Sequence, residues 1–446
     1  MSFVTSRLLT IATLCFAALF AGCEDDSGSI PDGASDVIDA GDSLDNDGET
    51  VAPSDATEFE KRRAAISPLP ANTHFARPAY EDGTCEEEDY STEPPEDAGS
   101  PNFPPAGEPF QMLSEYNFFW GEMSDLNPVE GVIPYTSVSF LWADGTGKAR
   151  FIVMPDGEKA TFNEGELWDF PEGTIIVKNF MMPDDARDPN CGFRPLETRL
   201  LIRRDGDWVP EAYVWNDEYT DAERDALGES LNVPLINRDG NQETRLYKVP
   251  KRSECSRCHG RVEEGSGLKF NHMLGLVTSQ VNADVYRDGE FVNQIEWLAD
   301  EGVFENEIPD TSTLNQLANP MDDELGVAAR ARSYLHANCA HCHRDQADAE
   351  RSQLYLHYEV EDFRDIGICK SPLAAGAGAG DNTVDIFPGA PEDSIMPYRM
   401  NALDPGARMP ELASQKVDNF GVQLVSDWIE QMPELGGYPT TCDIEE

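Results

Sequence analysis

Cys339-Ala340-His341-Cys342-His343 is a C-x-x-C-H pentapeptide, and Cys255-Ser256-Arg257-Cys258-His259 is a second copy upstream. The spacing has a chemical cause. Two thiols one helical turn apart can form thioethers with the two vinyl groups of a haem, and the next residue, a histidine, then lies where it can ligate the iron. Cysteine and histidine are scarce in this chain, with 10 and 7 copies, so two such pentapeptides do not arise by accident. Two C-x-x-C pairs can also build a zinc site of four thiolates. The histidine after each pair, and the long separation between the pairs, favour haem. Both motifs therefore predict covalent attachment of two c-type haems, held by Cys255, Cys258, Cys339 and Cys342, with His259 and His343 as iron ligands.

The surroundings of the second motif extend this reading. Leu325–Leu335 reads as a helix leading into Cys339. Val417, Gly421, Leu424, Val425, Trp428, Ile429 and Met432 recur at helical spacing, which predicts a closing helix over Val417–Met432. In small cytochromes the first and last helices cross, and Gly421 would allow close approach. Met409, in Arg408-Met409-Pro410, is the candidate distal ligand of this haem, with Met396 and Met400 as competitors. A thioether ligand raises the reduction potential, as suits an electron carrier. For the first haem the candidates are Met273 and Met321, with His272 and His336 also in the running. An open sixth position is the further alternative.

Upstream, residues 110–250 have the texture of strands and turns. Arg150-Phe151-Ile152-Val153, Thr174-Ile175-Ile176-Val177 and Leu200-Leu201-Ile202 are β-rich runs. Pro155-Asp156-Gly157, Pro171-Glu172-Gly173 and Asp205-Gly206-Asp207 punctuate them. This predicts an antiparallel, sandwich-like domain, with one helical insertion at Asp217–Leu227. Helical segments are expected from 251 onward, among them Asn293–Leu298. The expected fold class is thus multidomain: an N-terminal β-rich, sandwich-like domain followed by mainly α-helical cytochrome c-type haem domains. Its segments are a leader (1–22), an acidic tether (23–105), the β-rich domain (106–250), a first haem segment (251–324), a second haem domain (325–436) and a tail (437–446).

The N-terminal residues address the compartment. Arg7 precedes an apolar run from Leu8 to Phe20, too short to span a bilayer, and Phe20-Ala21-Gly22-Cys23 has the form of a lipobox. Cys23 is the expected acylated N-terminus, placing the protein outside the cytoplasm, on the periplasmic side of a membrane or at the cell surface, held by lipid alone. Residues 24–60 carry 13 acidic and no basic residues, a composition that favours disorder. The whole chain has 33 Lys+Arg against 84 Asp+Glu, a formal charge of −51. That balance excludes nucleic acid as a partner and points to a redox protein, with a basic one favoured. Cys85, Cys191, Cys369 and Cys442 remain for two disulfides, with three pairings open.

The chain also resembles a bacterial family of dihaem c-type cytochrome lipoproteins, often encoded beside a parallel β-helix repeat protein. The strings that carry the resemblance span about 111–432. They are Leu113-Ser114-Glu115-Tyr116, Gly131-Val132-Ile133-Pro134-Tyr135, Phe170-Pro171-Glu172-Gly173-Thr174, Glu197-Thr198-Arg199-Leu200-Leu201, Asn338–His343, Gly367-Ile368-Cys369-Lys370 and Arg408-Met409-Pro410-Glu411-Leu412. The resemblance implies haem ligation by His259 and His343, and a β-helix protein as a partner. It implies no substrate. Phe110 stands where the family would have a cysteine; Cys85 is its candidate replacement, and the pairing stays open. Electron transfer between exported redox partners is the leading expectation. The alternatives are a dihaem peroxidase or oxidase using an open first haem, and a partner-binding surface lipoprotein.

Overall fold

A computed structural model describes residues 94–442, apart from 106–107, 166, 188–191, 264, 288–289 and 413. The chain divides into two units, Met1–Ala52 and Pro53–Glu446, and every described residue belongs to the second. The expected lipidation at Cys23, Cys85, Cys191 and most of the acidic tether lie outside the described residues.

Two short strands, β1 (Phe119–Trp120) and β2 (Asn127–Pro128), pair with each other ahead of the main sheet. Six strands then form an antiparallel meander in sequence order: β3 (Val132–Tyr135), β4 (Gly147–Val153), β5 (Ile175–Pro183), β6 (Phe193–Arg204), β7 (Asp207–Trp215) and β8 (Ala222–Arg224). Each turn signal noted in the sequence falls between two of these strands, and Gly173 and Gly206 adopt the positive φ that such turns require. A separate hairpin, β9 (Ser230–Ile236) with β10 (Gln242–Lys248), follows.

Strands β4 to β6 are apolar on both faces because both faces are covered. On one face Phe151, Val153, Ile175, Val177, Leu200 and Ile202 pack with Leu113, Tyr116, Phe118 and Phe119 from the preceding segment. On the other, Tyr135, Ile152, Ile176 and Leu201 pack with Leu276, Val281, Ile295 and Leu298. Those last four residues come from beyond position 250.

This overturns the expected fold class. Strand makes up 26% and helix 23% of the structure, a sheet-rich body begins near residue 110, and no clear helical cytochrome domain follows it among the described residues. Between 251 and 324 the chain forms two more hairpins, β11 (Gly260–Val262) with β12 (Lys269–Asn271) and β13 (Asp284–Arg287) with β14 (Glu290–Asn293). Its helices are short: α1 (Cys255–His259), α2 (Thr278–Val281) and α3 (Gln294–Asp300). The apolar residues here cover the sheet instead of forming a helical core of their own, and β-branched and aromatic residues at 285, 286, 291 and 292 favour strands. The helical insertion at Asp217–Leu227 is also absent. Asn216 Oδ1 accepts from Thr220 N (3.0 Å) to close a turn, and β8 then pairs with the β7 edge.

The second motif has the helical frame that the sequence indicates, in reduced form. Helix α4 (Val327–Asn338) leads into Cys339; α5 (Phe363–Ile366) and α6 (Ile395–Met400) are short; α7 (Asn419–Leu435) closes the chain. Ala331, Leu335, Val425, Trp428, Ile429 and Met432 share one buried cluster. At the α4–α7 crossing, a Cβ on Gly421 would lie 2.1 Å from Tyr334 Oη, so only glycine fits. Cys369 and Cys442 form a disulfide.

Candidate cofactor site

Both motifs open onto one cavity of about 540 Å3, in the size range of cofactor sites. The first motif is placed from the sheet. Arg252 donates to Pro210 O (2.9 Å) and pairs with Glu211 (3.1 Å), holding the turn before Cys255 against β7. Asn271 N donates to Asp207 Oδ1 (2.7 Å), which holds the β11–β12 hairpin nearby. The second motif is placed from the 139–144 loop. Asn338, one residue before Cys339, accepts from Trp142 N (2.7 Å) and donates to Phe140 O (2.9 Å). Buried Asp144 accepts from the backbone of Gln415 (2.7 Å) and Lys416 (2.9 Å), anchoring the segment after Met409.

The two motifs meet directly. Cys342 Sγ donates to Arg257 O at 3.3 Å, and ligand atoms of Cys258, His341 and Cys342 lie within 4.8 Å of one another. The Arg257 side chain pairs with Asp348 and Glu411, each at 2.8 Å, which ties the first motif to the two sides of the second. The hydrogen bond between the Cys258 and Cys342 thiols lowers the pKa of Cys258 and raises that of Cys342. Burial pushes the Cys339 thiol up to about 12. All four motif cysteines are free of disulfides.

The histidines suit metal ligation. His259 Nδ1 lies 2.9 Å from His272 O, and His343 Nδ1 lies 3.2 Å from Ser352 Oγ. Such a bond orients the ring and leaves Nε2 for a metal. Burial lowers both histidines to about 4, so at neutral pH each presents a lone pair. Free paired thiols, oriented neutral imidazoles and a cofactor-sized cavity are the donor set that covalent haem requires.

Among the candidate distal ligands, Met409, Met396, Met400, Met273 and His336 all line this cavity, whereas Met321 does not. Met273 also packs into the core beneath the sheet, and His336 Nδ1 accepts from Tyr358 N (3.1 Å). His272 lines the cavity while its carbonyl serves His259.

Sequence reading missed the sheet's contribution. Arg150, Lys178 and Arg199 line the same cavity. The available signal was the appearance of cations inside otherwise apolar strands of a strongly acidic chain. It also missed Asp385, buried at the cavity wall with Oδ2 unpartnered. Burial raises this carboxyl from 3.8 to about 6, against opposition from Lys370 and Arg399. A folded-state pKa above the unfolded one means that the favourable protonated form is fully present below pH 3.8 and lost as pH rises through 6. The cost at neutral pH is about 3 kcal/mol. Asp385→Asn is therefore expected to stabilise the protein by about that amount near pH 7.5 and to make little difference below pH 4. Urea unfolding of both proteins at the two pH values checks this; equal stability at pH 7.5 contradicts it.

No family model matches the chain, and no curated protein or solved structure does either.

Proposed function

We propose that this protein is an exported, lipid-anchored electron carrier holding two c-type haems in adjacent positions. The observation that carries the reading is the meeting of two C-x-x-C-H motifs, distant in sequence, around one cavity with both histidines oriented for ligation. Cys255 and Cys258 would hold one haem, and Cys339 and Cys342 the other. Each thiol would add across a vinyl C=C bond, its hydrogen going to the second carbon, so attachment would be redox-neutral. His259 would ligate the iron of the first group, and His343 and Met409 that of the second. Each haem iron supplies a one-electron couple.

The protein's own part is positioning. The Arg257 bridge holds the motifs together, and the sheet and α4 close the cavity around them. The proximity of Cys258 to Cys342 favours electron exchange within the chain, and the −51 charge favours a basic donor or acceptor.

One observation favours a second reading. Cys258, His341 and Cys342 could together bind a transition-metal ion such as zinc. Thioether formation at Cys258 and Cys342 excludes that use, so one preparation separates the two. Protein matured by a c-type assembly system is expected to keep its colour through acid–acetone extraction and to gain the mass of two haems. Stoichiometric zinc without covalent haem sinks the proposal and supports the metal ion.

A further inference from the structure

Register pairing places Tyr135, Arg150, Lys178 and Arg199 in one row across β3, β4, β5 and β6. The row lies on the face that buries Ile152, Ile176 and Leu201, each two residues away on its strand. The sheet thus changes from core to cavity wall within one step of the pleat.

Arg199 is neutralised by Glu197, with bonds of 2.8 and 2.5 Å, and Glu197 is itself held by Tyr247 at 2.5 Å. Arg150 and Lys178 have no such partner. They sit directly opposite one another, and neither pairs with a carboxylate among the described residues. The Lys178 ammonium lies 5.1 Å from the centre of the Phe180 ring. Like charges facing each other across strands are unfavourable, more so when desolvated, and burial pushes the Lys178 ammonium well below its ordinary range. An anion in the cavity would turn that cost into attraction. The first motif is the one tied directly to this sheet, through Arg252 on Pro210 and Glu211 of β7, and it lines the cavity together with the row.

We propose that Arg150 and Lys178 are the carboxylate anchor of the cavity, pairing with the propionate groups of the haem attached at Cys255 and Cys258. The assignment rests on the haem reading above. It explains why two half-buried cations are kept side by side on adjacent core strands, β4 and β5, of a chain with so few cations. Arg150 offers a planar fork matched to one carboxylate, and Lys178 a point charge for the other.

The test uses the holoprotein and its two resolved reduction potentials. Arg150→Gln and Lys178→Gln each remove a positive charge beside the first haem, which favours the ferric state. Each variant is expected to shift that haem's ferric-to-ferrous balance about tenfold toward ferric, equivalent to a fall of about 59 mV. The second haem should stay unchanged as an internal control. Arg150→Lys should restore most of the shift, and resonance Raman bands of propionate bending should move for the first haem alone.

Unchanged first-haem potential and bands in both Gln variants overturn the proposal. So does a wild-type potential that follows added acetate or phosphate and loses that response in the variants, because the cations then serve a diffusible anion. Wild-type protein with no covalent haem is distinguishable from both results and removes the underlying reading together with this one.

Discussion

Gly421→Ala is expected to destabilise the protein by about 3 kcal/mol, the upper end of the usual cost of overpacking. The new methyl would lie 2.1 Å from Tyr334 Oη and 2.2 Å from Tyr334 Cζ, both belonging to a fully packed ring on the facing helix. Neither partner has room to yield. Tyr334 is 4% exposed, and its hydroxyl donates to Asp418 Oδ2 at 3.0 Å. Helices α4 and α7 must therefore separate, and α4 ends one residue before Cys339. Loss of stability should be accompanied by poorer retention of whatever the second motif holds. Tyr334→Ala in the same chain removes the obstructing ring, so the double variant should be more stable than the sum of the single effects predicts. Urea denaturation of the four proteins measures this. Strict additivity contradicts direct contact as the cause.

On the proposed haem reading, Met409→Ala is expected to have the largest spectroscopic effect. Met409 lines the cavity, and its backbone N donates to Arg399 O at 2.9 Å, fixing the loop that carries it. Loss of a thioether ligand should remove the methionine–iron charge-transfer band of the second haem. It should also lower that haem's potential by at least about 59 mV, one tenfold step for one electron. The vacated position should then bind carbon monoxide. Met409→His should also lower the potential but keep the iron six-coordinate. Met396→Ala and Met400→Ala serve as controls, since both side chains line the same cavity. If either control reproduces the Met409→Ala spectrum while Met409→Ala leaves it intact, the ligand has been misassigned.

The parts of this protein visible in its sequence are those with a local physical cause. Strands β4, β5 and β6 were legible because β-branched runs between Pro/Asp/Gly turn signals admit few alternatives. Helix α7 was legible through apolar spacing, Gly421 through its position on the inward face of α7, and α4 as the segment leading into Cys339. The segment after 250 was misread because its apolar residues carry no mark of what they will cover. Leu276, Ile295 and Leu298 suit a helical core and a sheet face equally well, and only the sheet decided between them.

The two C-x-x-C-H motifs were readable from one line of sequence, because thiols and an imidazole at that spacing express bond geometry within a single helical turn. Their meeting was not. The contact of Cys342 with Arg257 and the row Arg150–Lys178–Arg199 depend on which strands pair and in what register, and a one-residue slip would turn every cation of the row to the opposite face. The sequence by itself thus determined the donor groups and their local spacing. Tertiary structure alone decided that the groups share one cavity and that Arg150, Lys178 and Arg199 line it with them, because both properties arise from contacts between segments remote along the chain.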